Sequence, residues 1–297
     1  MTCQDNNSKL SNTITITKVS LQNIFENPND YNTNNHWDNN QPPNDYLEVI
    51  NRTNCKYWID KFHTNYKTII LDKGDIRWMS KAFQIGKITG YFPKTYIEEL
   101  EDCIIKHRHQ GNCDVFDGTM YFARTESTSL KYGMYGTGPY TNLRQIIESM
   151  VTSIQGHHCC KDTNQECKIY LMNWIENMEH NKEFRIFVYH NRITAISQQH
   201  LNESNKWLAN KSDNQIKEIV IKIIIFFENN IKQKMSNIQN YVMDLALIGK
   251  TEQPYFIEGN SFGKQYAAAS ALFHWLRDEP ILYNNINNDV VFRYVSD

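Results

Sequence analysis

Apolar and polar residues follow two different periods along this chain, and these periods predict a mixture of strands and helices. Short apolar runs bounded by turn residues predict strands at 14–21, 68–71, 120–124, 168–174, 184–188, 193–198, 241–248 and 255–258. Apolar residues spaced by three and four positions predict helices at 95–106, 141–152, about 214–235 and 266–278. Two pairs of neighbouring strands have the form of hairpins, so we expect an α+β fold with mainly antiparallel sheets.

The composition changes near residue 45. Residues 1–45 are rich in Asn, Asp, Thr and Pro, and outside the strand at 14–21 they contain few apolar residues. We therefore expect them to form a mobile N-terminal arm. Further along, Ser212 and Gln215 have the spacing of a capping box and predict the start of the long helix. His107 and His109, at the end of the helix at 95–106, are expected to be solvated.

The overall charge and the cysteine pattern narrow the class of protein. The chain has 297 residues and a net charge of -2, so a basic footprint for nucleic acid is missing and nucleic acid is disfavoured as a partner. The longest apolar run, 219–227, is too short to span a bilayer. The seven cysteines have no regular spacing, which is typical of a reducing compartment. We expect a soluble cytoplasmic protein without a membrane partner.

The second predicted hairpin carries acidic residues at matching positions. If its turn is centred on Thr251, Asp244 and Glu258 lie equally far from it and face each other across the two strands. Asn260 follows two positions later and shares their face of the sheet. Oxygen ligands of this kind suit Mg²⁺. The alternative is a shifted register, in which each carboxylate faces solvent or pairs with a lysine.

A loop rich in Ser, Thr and Gly follows the predicted strand at 120–124. Its backbone N–H groups, together with Arg124 and Lys131, are suited to bind an anion such as phosphate. An ordinary surface loop with two solvated cations is the alternative. The Walker A pattern is absent. The residues after Lys131 also break the pattern of covalent nucleotidyltransferases, so we rank that class lower.

Four stretches, in order, resemble the ATP-grasp proteins of the cell-division-cycle one-two-three family, which are assembly chaperones of eukaryotic translation initiation factor two. The stretches are YWIDKFHTNYKTIIL (57–71), FARTESTSLKYG (122–133), KEFRIFVYHNRITAISQ (182–198), and VMDLAL with FIEGN (242–247 and 256–260). The resemblance covers about residues 46–280. The sequence departs from the family's pattern at Leu130, Tyr132 and Gly133, where the family commonly has Pro, Asp and Ala, and at Glu258, which replaces an Asp.

The resemblance implies a two-lobed ATP-grasp fold that holds a nucleotide between its lobes. The N-terminal lobe would span 46–165 and carry the phosphate loop, and the C-terminal lobe would span 166–297 and carry the hinge strand and the metal hairpin. The resemblance assigns adenine to backbone groups near Met172, Asn173 and Trp174. It assigns phosphate to Arg124, Lys131 and Arg185, the last two as catalytic residues if the protein is an enzyme. It assigns Mg²⁺ to Asp244, Glu258 and Asn260, whereas Glu183 would orient either Arg185 or a ribose hydroxyl.

The expected function is therefore that of an ATP- and Mg²⁺-binding assembly chaperone, with the gamma subunit of translation initiation factor two as its protein partner. The alternative is an ATP-dependent ligase or kinase acting on an unknown acceptor, either a small molecule, a peptide or RNA. Rapid ATP consumption that requires an acceptor would favour the alternative. Binding of the initiation-factor subunit without turnover would favour the chaperone.

Overall fold

The architecture is that of a computed structural model, which describes residues 13–37, 40–155, 157, 160, 163–266, 268–284 and 289–297. The chain forms two compact units. Unit 1 comprises the described residues of Met1–Asn54 and Asn177–Asp297, and unit 2 comprises those of Cys55–Glu176.

Unit 1 is built on a six-stranded sheet with the order β1-β9-β6-β5-β7-β8. Its strands are β1 (Ile14–Val19), β5 (Glu183–Tyr189), β6 (Arg192–Gln198), β7 (Tyr241–Ile248), β8 (Gln253–Ser261) and β9 (Val290–Val295). β9 pairs in parallel with β1 and β6, and the other pairs are antiparallel. Its α-helices are α1 (Leu21–Glu26), α2 (Tyr46–Asn51), α7 (Lys206–Ala209), α8 (Asp213–Phe226) and α9 (Glu279–Leu282).

Unit 2 is built on a three-stranded antiparallel sheet with the order β2-β4-β3. The strands are β2 (Tyr66–Leu71), β3 (Tyr121–Arg124) and β4 (Cys167–Asn173), and the helices are α3 (Ile59–Phe62), α4 (Lys73–Thr89), α5 (Ile97–His109) and α6 (Leu143–Thr152). One apolar core joins sheet and helices, with Ile169 from β4, Met79 from α4, Leu100 from α5 and Ile146 from α6 all fully buried.

Short 3₁₀ turns occur in both units, at Pro28–Asp30, Cys55–Tyr57, Lys94–Tyr96, Asp114–Phe116 and His180–Lys182. The predicted capping box is present at the start of α8, because the side chains of Ser212 and Gln215 each accept from the other's backbone N–H. The predicted long helix ends earlier than expected. The α-helical part, α8, ends at Phe226, and a π-helical turn over Phe227–Ile231 follows it. Within the described part of the chain, each helix is too short or too polar to cross a membrane.

The prediction of an α+β fold with mainly antiparallel sheets is confirmed. The units are bounded differently from the predicted lobes, at 54/55 and 176/177 instead of 45/46 and 165/166. One reason is that β1 pairs with β9, so the described part of the predicted arm belongs to unit 1. The other is that β4 is the central strand of the unit 2 sheet, which places the predicted hinge in that unit.

The predicted helix at 266–278 is wrong, because the described residues of this segment form turns, bends and irregular chain. Several of its carbonyl groups accept hydrogen bonds from side chains. Arg185 donates to the carbonyl of Ala269 at 2.6 Å and Arg293 to that of Leu272 at 3.1 Å. Ala271 has a positive φ of 48°, which no α-helix accommodates. One buried arginine of the sheet, Arg185, and one half-buried arginine, Arg293, thus override a local helical pattern.

Candidate functional site

One face of the unit 1 sheet carries a continuous row of polar side chains. Thr17 pairs with Arg293, Arg293 with Ser197, Ser197 with Arg185, Arg185 with Asp244, and Asp244 with Glu258. Residues opposite one another in a ladder point to the same face of the sheet. The row therefore crosses all six strands and ends on the β7–β8 hairpin, the predicted metal hairpin.

The register of the hairpin brings its acidic residues together. Asp244 lies opposite Glu258, as the count from the turn predicts, and a bulge follows because Leu245 lies opposite Phe256, leaving Ile257 as the extra residue. Asn260 is on the same face, with its Nδ2 3.4 Å from Glu258 Oε1. Asp244 is buried, whereas Glu258 and Asn260 are half-buried. The three predicted magnesium ligands are thus adjacent.

Arg185 is bound to the predicted metal site. Its Nε donates to Asp244 Oδ1 at 2.8 Å and its Nη2 to Asp244 Oδ2 at 2.7 Å, which is the two-pronged geometry that guanidinium and carboxylate groups prefer. Arg185 is 6% exposed and Asp244 5% exposed. In this arrangement Arg185 fixes the orientation of Asp244, and a contact from Arg185 to phosphate stays a prediction.

Glu183 lies two positions before Arg185 on β5, and its carboxylate contacts a histidine. Its Oε2 is 3.2 Å from Nε2 of His200. The Glu183 carbonyl accepts from the backbone N–H of Gln199 at 3.0 Å, so the ladder between β5 and β6 continues to this point. Of the two predicted roles, orienting Arg185 finds no support in these contacts, and a ribose contact stays a prediction.

Arg124, a predicted phosphate-binding residue of unit 2, lies at the end of β3 and is 2% exposed. Its guanidinium carbon is 4.8 Å from the centre of the Trp58 ring, and its Nε donates to the carbonyl of Thr125 at 3.3 Å. His63 also packs near Trp58. Burial, and secondarily the charge of Arg124, lower the pKa of His63 to about 4, so this imidazole is neutral at pH 7.

Lys131 lies on a loop that is fixed by its surroundings. The backbone N–H of Leu130 donates to Ala123 of β3 at 3.2 Å, and that of Met134 donates to the Thr152 hydroxyl at 2.9 Å. A Cβ on Gly133 would lie 2.2 Å from the carbonyl oxygen of Ser149, so glycine is needed here for close contact with α6. Lys131 itself is exposed, with its Nζ 5.3 Å from the centre of the Tyr132 ring.

The predicted adenine-binding residues lie at the end of β4. Met172 is buried and pairs with Tyr66 of β2 and Phe122 of β3. The β2 ladder stops at that pair, whereas β3 continues to the pair of Tyr121 with Asn173, and the backbone N–H of Trp174 donates to Met120 at 2.9 Å. Asn173 is exposed and Trp174 half-buried. The backbone of Met172 is thus paired within the sheet, whereas Asn173 lies beyond the last residue that pairs with β2.

Two residues of the polar row, Arg293 and Ser197, could not be predicted from the sequence pattern. Arg293 binds Asp278 through both oxygens, at 2.8 and 2.7 Å, and joins the polar row from a strand that was not predicted. Ser197 accepts from the backbone N–H of Leu272 at 3.0 Å and so helps to hold the 268–278 segment against the sheet.

Helix α4 of unit 2 was not predicted, although the helical spacing of Ile76, Met79 and Phe83 indicates it.

Comparison with known proteins gives two findings. The model of the D123 family matches residues 142–297, which is more than half of the chain. The structure is similar to that of Cdc123 from Schizosaccharomyces pombe, with a TM-score of 0.54 and 16% sequence identity, covering 82% of this chain and 96% of that one. A C-terminally truncated form of that protein gives a TM-score of 0.53 at 16% identity, with the same coverage.

No protein among the curated sequences matches the chain. At this identity the structural similarity shows the fold, which is ATP-grasp-like as the resemblance implied. The family assignment rests on the matching family model, which includes β4 to β9 and therefore the whole polar row except Thr17. The chain belongs to the D123 family, the family of Cdc123.

Proposed function

We propose that this protein binds ATP together with Mg²⁺ and acts as an assembly factor for a subunit of translation initiation factor two. The observation that carries the proposal is the oxygen-rich end of the polar row, where Asp244 faces Glu258 and Asn260 follows on the same side. Like charges directly opposite each other in a ladder are destabilising, and a bound divalent cation would remove that repulsion.

The chemistry of these three side chains fits Mg²⁺. Each offers an oxygen, and Mg²⁺ takes one or two protein carboxylates and completes its shell with water and substrate phosphate. Arg185 holds Asp244 by both oxygens, in the way that neighbouring groups orient metal-binding carboxylates. Bound Mg²⁺ would neutralise phosphate charge, and Asp244, Glu258 and Asn260 would hold the ion.

The two proposed phosphate contacts of unit 2, Arg124 and Lys131, differ in how exposed their side chains are. Arg124 is buried and stacked on Trp58, so its charge is fixed in position, whereas Lys131 is exposed and adaptable. Neutral His63 beside Arg124 avoids a second cation in the same buried place. The backbone near Asn173 and Trp174 is the proposed adenine contact, because the β2 ladder has stopped there.

The proposed partner is the gamma subunit of translation initiation factor two, in the cytoplasm. The support for this step is membership of the D123 family together with the resemblance of the motifs at 182–198 and 242–260. An assembly role requires ATP to be bound but does not require rapid turnover. An ATP-dependent ligase or kinase remains the alternative, and it requires turnover with an acceptor.

Calorimetric titration with ATP tests the proposal, first in Mg²⁺ and then in EDTA. We expect binding that is much stronger in Mg²⁺, and weaker binding of adenosine in either buffer. The same preparation is then mixed with the gamma subunit with and without Mg-ATP, and phosphate release is followed. Capture of the subunit without phosphate release supports the assembly factor. Rapid release that needs an added acceptor would support the ligase or kinase, and failure to bind ATP in both buffers would overturn the nucleotide site.

A further inference from the structure

A second group of potential metal ligands lies at one end of the β5–β6 ladder in unit 1. His180 belongs to the 3₁₀ turn before β5, Glu183 begins β5, and His200 follows β6. The bond from Gln199 N–H to the Glu183 carbonyl at 3.0 Å extends the ladder and brings these positions together. One ligand atom of each of the three side chains lies within 4.8 Å of the other two.

The distances inside this group place three lone-pair donors around one point. His180 Nδ1 is 3.3 Å from His200 Nε2, and His200 Nε2 is 3.2 Å from Glu183 Oε2. A ring nitrogen carries at most one proton, so His200 Nε2 is either a donor or an acceptor. The three acceptor atoms His180 Nδ1, His200 Nε2 and Glu183 Oε2 therefore share one proton between them. A divalent cation would engage the two nitrogens and the carboxylate at the same time.

The spacing matches a tetrahedral ion. Zinc–nitrogen and zinc–oxygen bonds of about 2.0–2.1 Å give a separation of about 3.3–3.4 Å between neighbouring ligand atoms of a tetrahedron. The two measured distances, 3.3 and 3.2 Å, are close to this separation. The third pair, His180 with Glu183, lies within 4.8 Å and would close by a small side-chain rotation.

The ligand types select a different ion from that of the polar row. Imidazole nitrogen suits Zn²⁺ and its transition-metal neighbours, whereas the oxygen set of Asp244, Glu258 and Asn260 suits Mg²⁺. The nearest cation along the chain, Lys182, is bonded to Glu179 at 2.8 Å and lies 5.4 Å from the centre of the Trp207 ring. His180 is exposed and the His200 side chain is 38% exposed, so an ion can enter from solvent.

We propose that His180, Glu183 and His200 bind one Zn²⁺ ion, with an open fourth position for water or a ligand. Two histidines and one glutamate are a known set for zinc sites that keep an open position. The zinc site shares no residue with the predicted magnesium ligands, so it does not depend on Mg²⁺ binding, but Glu183 is also the residue with the predicted ribose contact.

The test is a zinc titration of the full chain in competition with a chromogenic chelator, after removal of metal and in the presence of a thiol reductant. Wild type should bind one more tight equivalent of Zn²⁺ than His180→Ala or His200→Ala. Glu183→Gln should weaken this equivalent about tenfold or more. His109→Ala removes an exposed histidine at the end of α5 and should bind as wild type does.

Two further measurements distinguish this site from other zinc-binding groups. Co²⁺ should give visible absorption that disappears in His200→Ala and lacks thiolate charge transfer, since cysteine is not a ligand. Asn260→Ala should keep the zinc equivalent, since the magnesium site is separate. Circular dichroism without metal checks that each variant is folded. Equal zinc binding by wild type and both histidine variants, or loss of the equivalent in Asn260→Ala, would overturn the proposal.

Discussion

Each unit contains a cluster of charged residues around a buried aspartate, and the two clusters stabilise the buried negative charge in different ways. In unit 2, the Asp75 network joins Asp75 to Lys106 at 2.5 Å, to His107 at 2.8 Å, and to the backbone N–H of Asp72 at 3.1 Å. In unit 1, the polar row joins Asp244 to Arg185 and places Glu258 opposite it. Both aspartates are at most 5% exposed.

The difference lies in the chemistry of the neighbours. Both oxygens of Asp75 accept from N–H donors, and Asn112 donates to His107 Nδ1 at 2.9 Å, which leaves the His107 Nε2 proton for Asp75. Cys103 is near, but burial first of all, and then Asp75, raise the pKa of its thiol, so it stays protonated. The carboxylate of Asp75 is thus fully hydrogen-bonded by donors of the protein itself, which indicates a structural role. The polar row ends in oxygen acceptors, and that end suits a cation.

The largest effect is expected from opening the Asp75 network. Asp75→Ala leaves buried His107 without its carboxylate and removes one of the two carboxylates that Lys106 contacts, so it should lower the free energy of unfolding by about 3 kcal/mol. Denaturant titration measures this, with exposed Asp102→Ala as the control, for which we expect a change within about 0.5 kcal/mol. The affinity of the folded variant for Mg-ATP should not change. A loss as small as that of Asp102→Ala would remove the distinction between the two clusters.

The same network should give a signature at low pH. Burial by itself would raise the pKa of Asp75, but the bonds from His107 and Lys106 outweigh it and lower the pKa to about 2. In the unfolded chain the pKa is about 3.9. The lower folded value stabilises the protein above about pH 4, and this contribution is lost as the pH falls from about 4 to about 2.

Unfolding midpoints of wild type and Asp75→Asn across this pH window measure the contribution. Wild type should lose more stability than the variant, because only wild type has the carboxylate to protonate. Parallel curves for the two proteins would mean that Asp75 adds no special stability.

A smaller effect is expected at Lys131, the exposed lysine of the predicted phosphate loop. Lys131→Ala should weaken ATP binding by about 1–2 kcal/mol, roughly tenfold, and leave adenosine binding unchanged, since only the phosphate contact is removed. Lys81→Ala, an exposed lysine on α4, is the matched control for the loss of one positive charge. If adenosine weakens as much as ATP does, Lys131 makes no phosphate contact.

The sequence predicted those parts of the molecule where local pattern and tertiary contacts agree. In the β7–β8 hairpin the bounds of β7 and the pairing of Asp244 with Glu258 are as predicted, whereas β8 extends beyond the predicted 255–258 to Gln253–Ser261. The pairs next to the turn, such as Ile248 with Gln253, differ from the predicted register by one residue, and the bulge at Ile257 restores it at Asp244. The segment at 266–278 was predicted as a helix, and the structure differs because Arg185 and Arg293, distant in sequence, take its carbonyl groups. His107 was expected to be solvated and is 1% exposed, since Asp75 and Asn112 satisfy both ring nitrogens.

The candidate site was predictable only in part for the same reason. The positions of Asp244, Glu258 and Asn260 follow from strand periodicity. The pairing of Arg185 with Asp244 depends on which strands are neighbours, and the burial of Arg124 depends on Trp58, a residue far away in sequence. The contact of Glu183 with His200 likewise needs the end of the β5–β6 ladder. Partner choice of this kind is set by topology, which the local pattern does not contain.

The most direct test of the central claim compares wild type with Glu258→Gln in Mg-ATP titrations. Glu258 is half-buried at the end of the row, so the substitution removes a charge from a position that is partly open to solvent. We predict a Kd for Mg-ATP at least about 10- to 100-fold higher and an unchanged Kd for ATP in EDTA. Glu252→Gln, in the turn of the same hairpin, should behave as wild type. Equal Mg-ATP affinities of Glu258→Gln and wild type would contradict the assignment of the metal site to this hairpin.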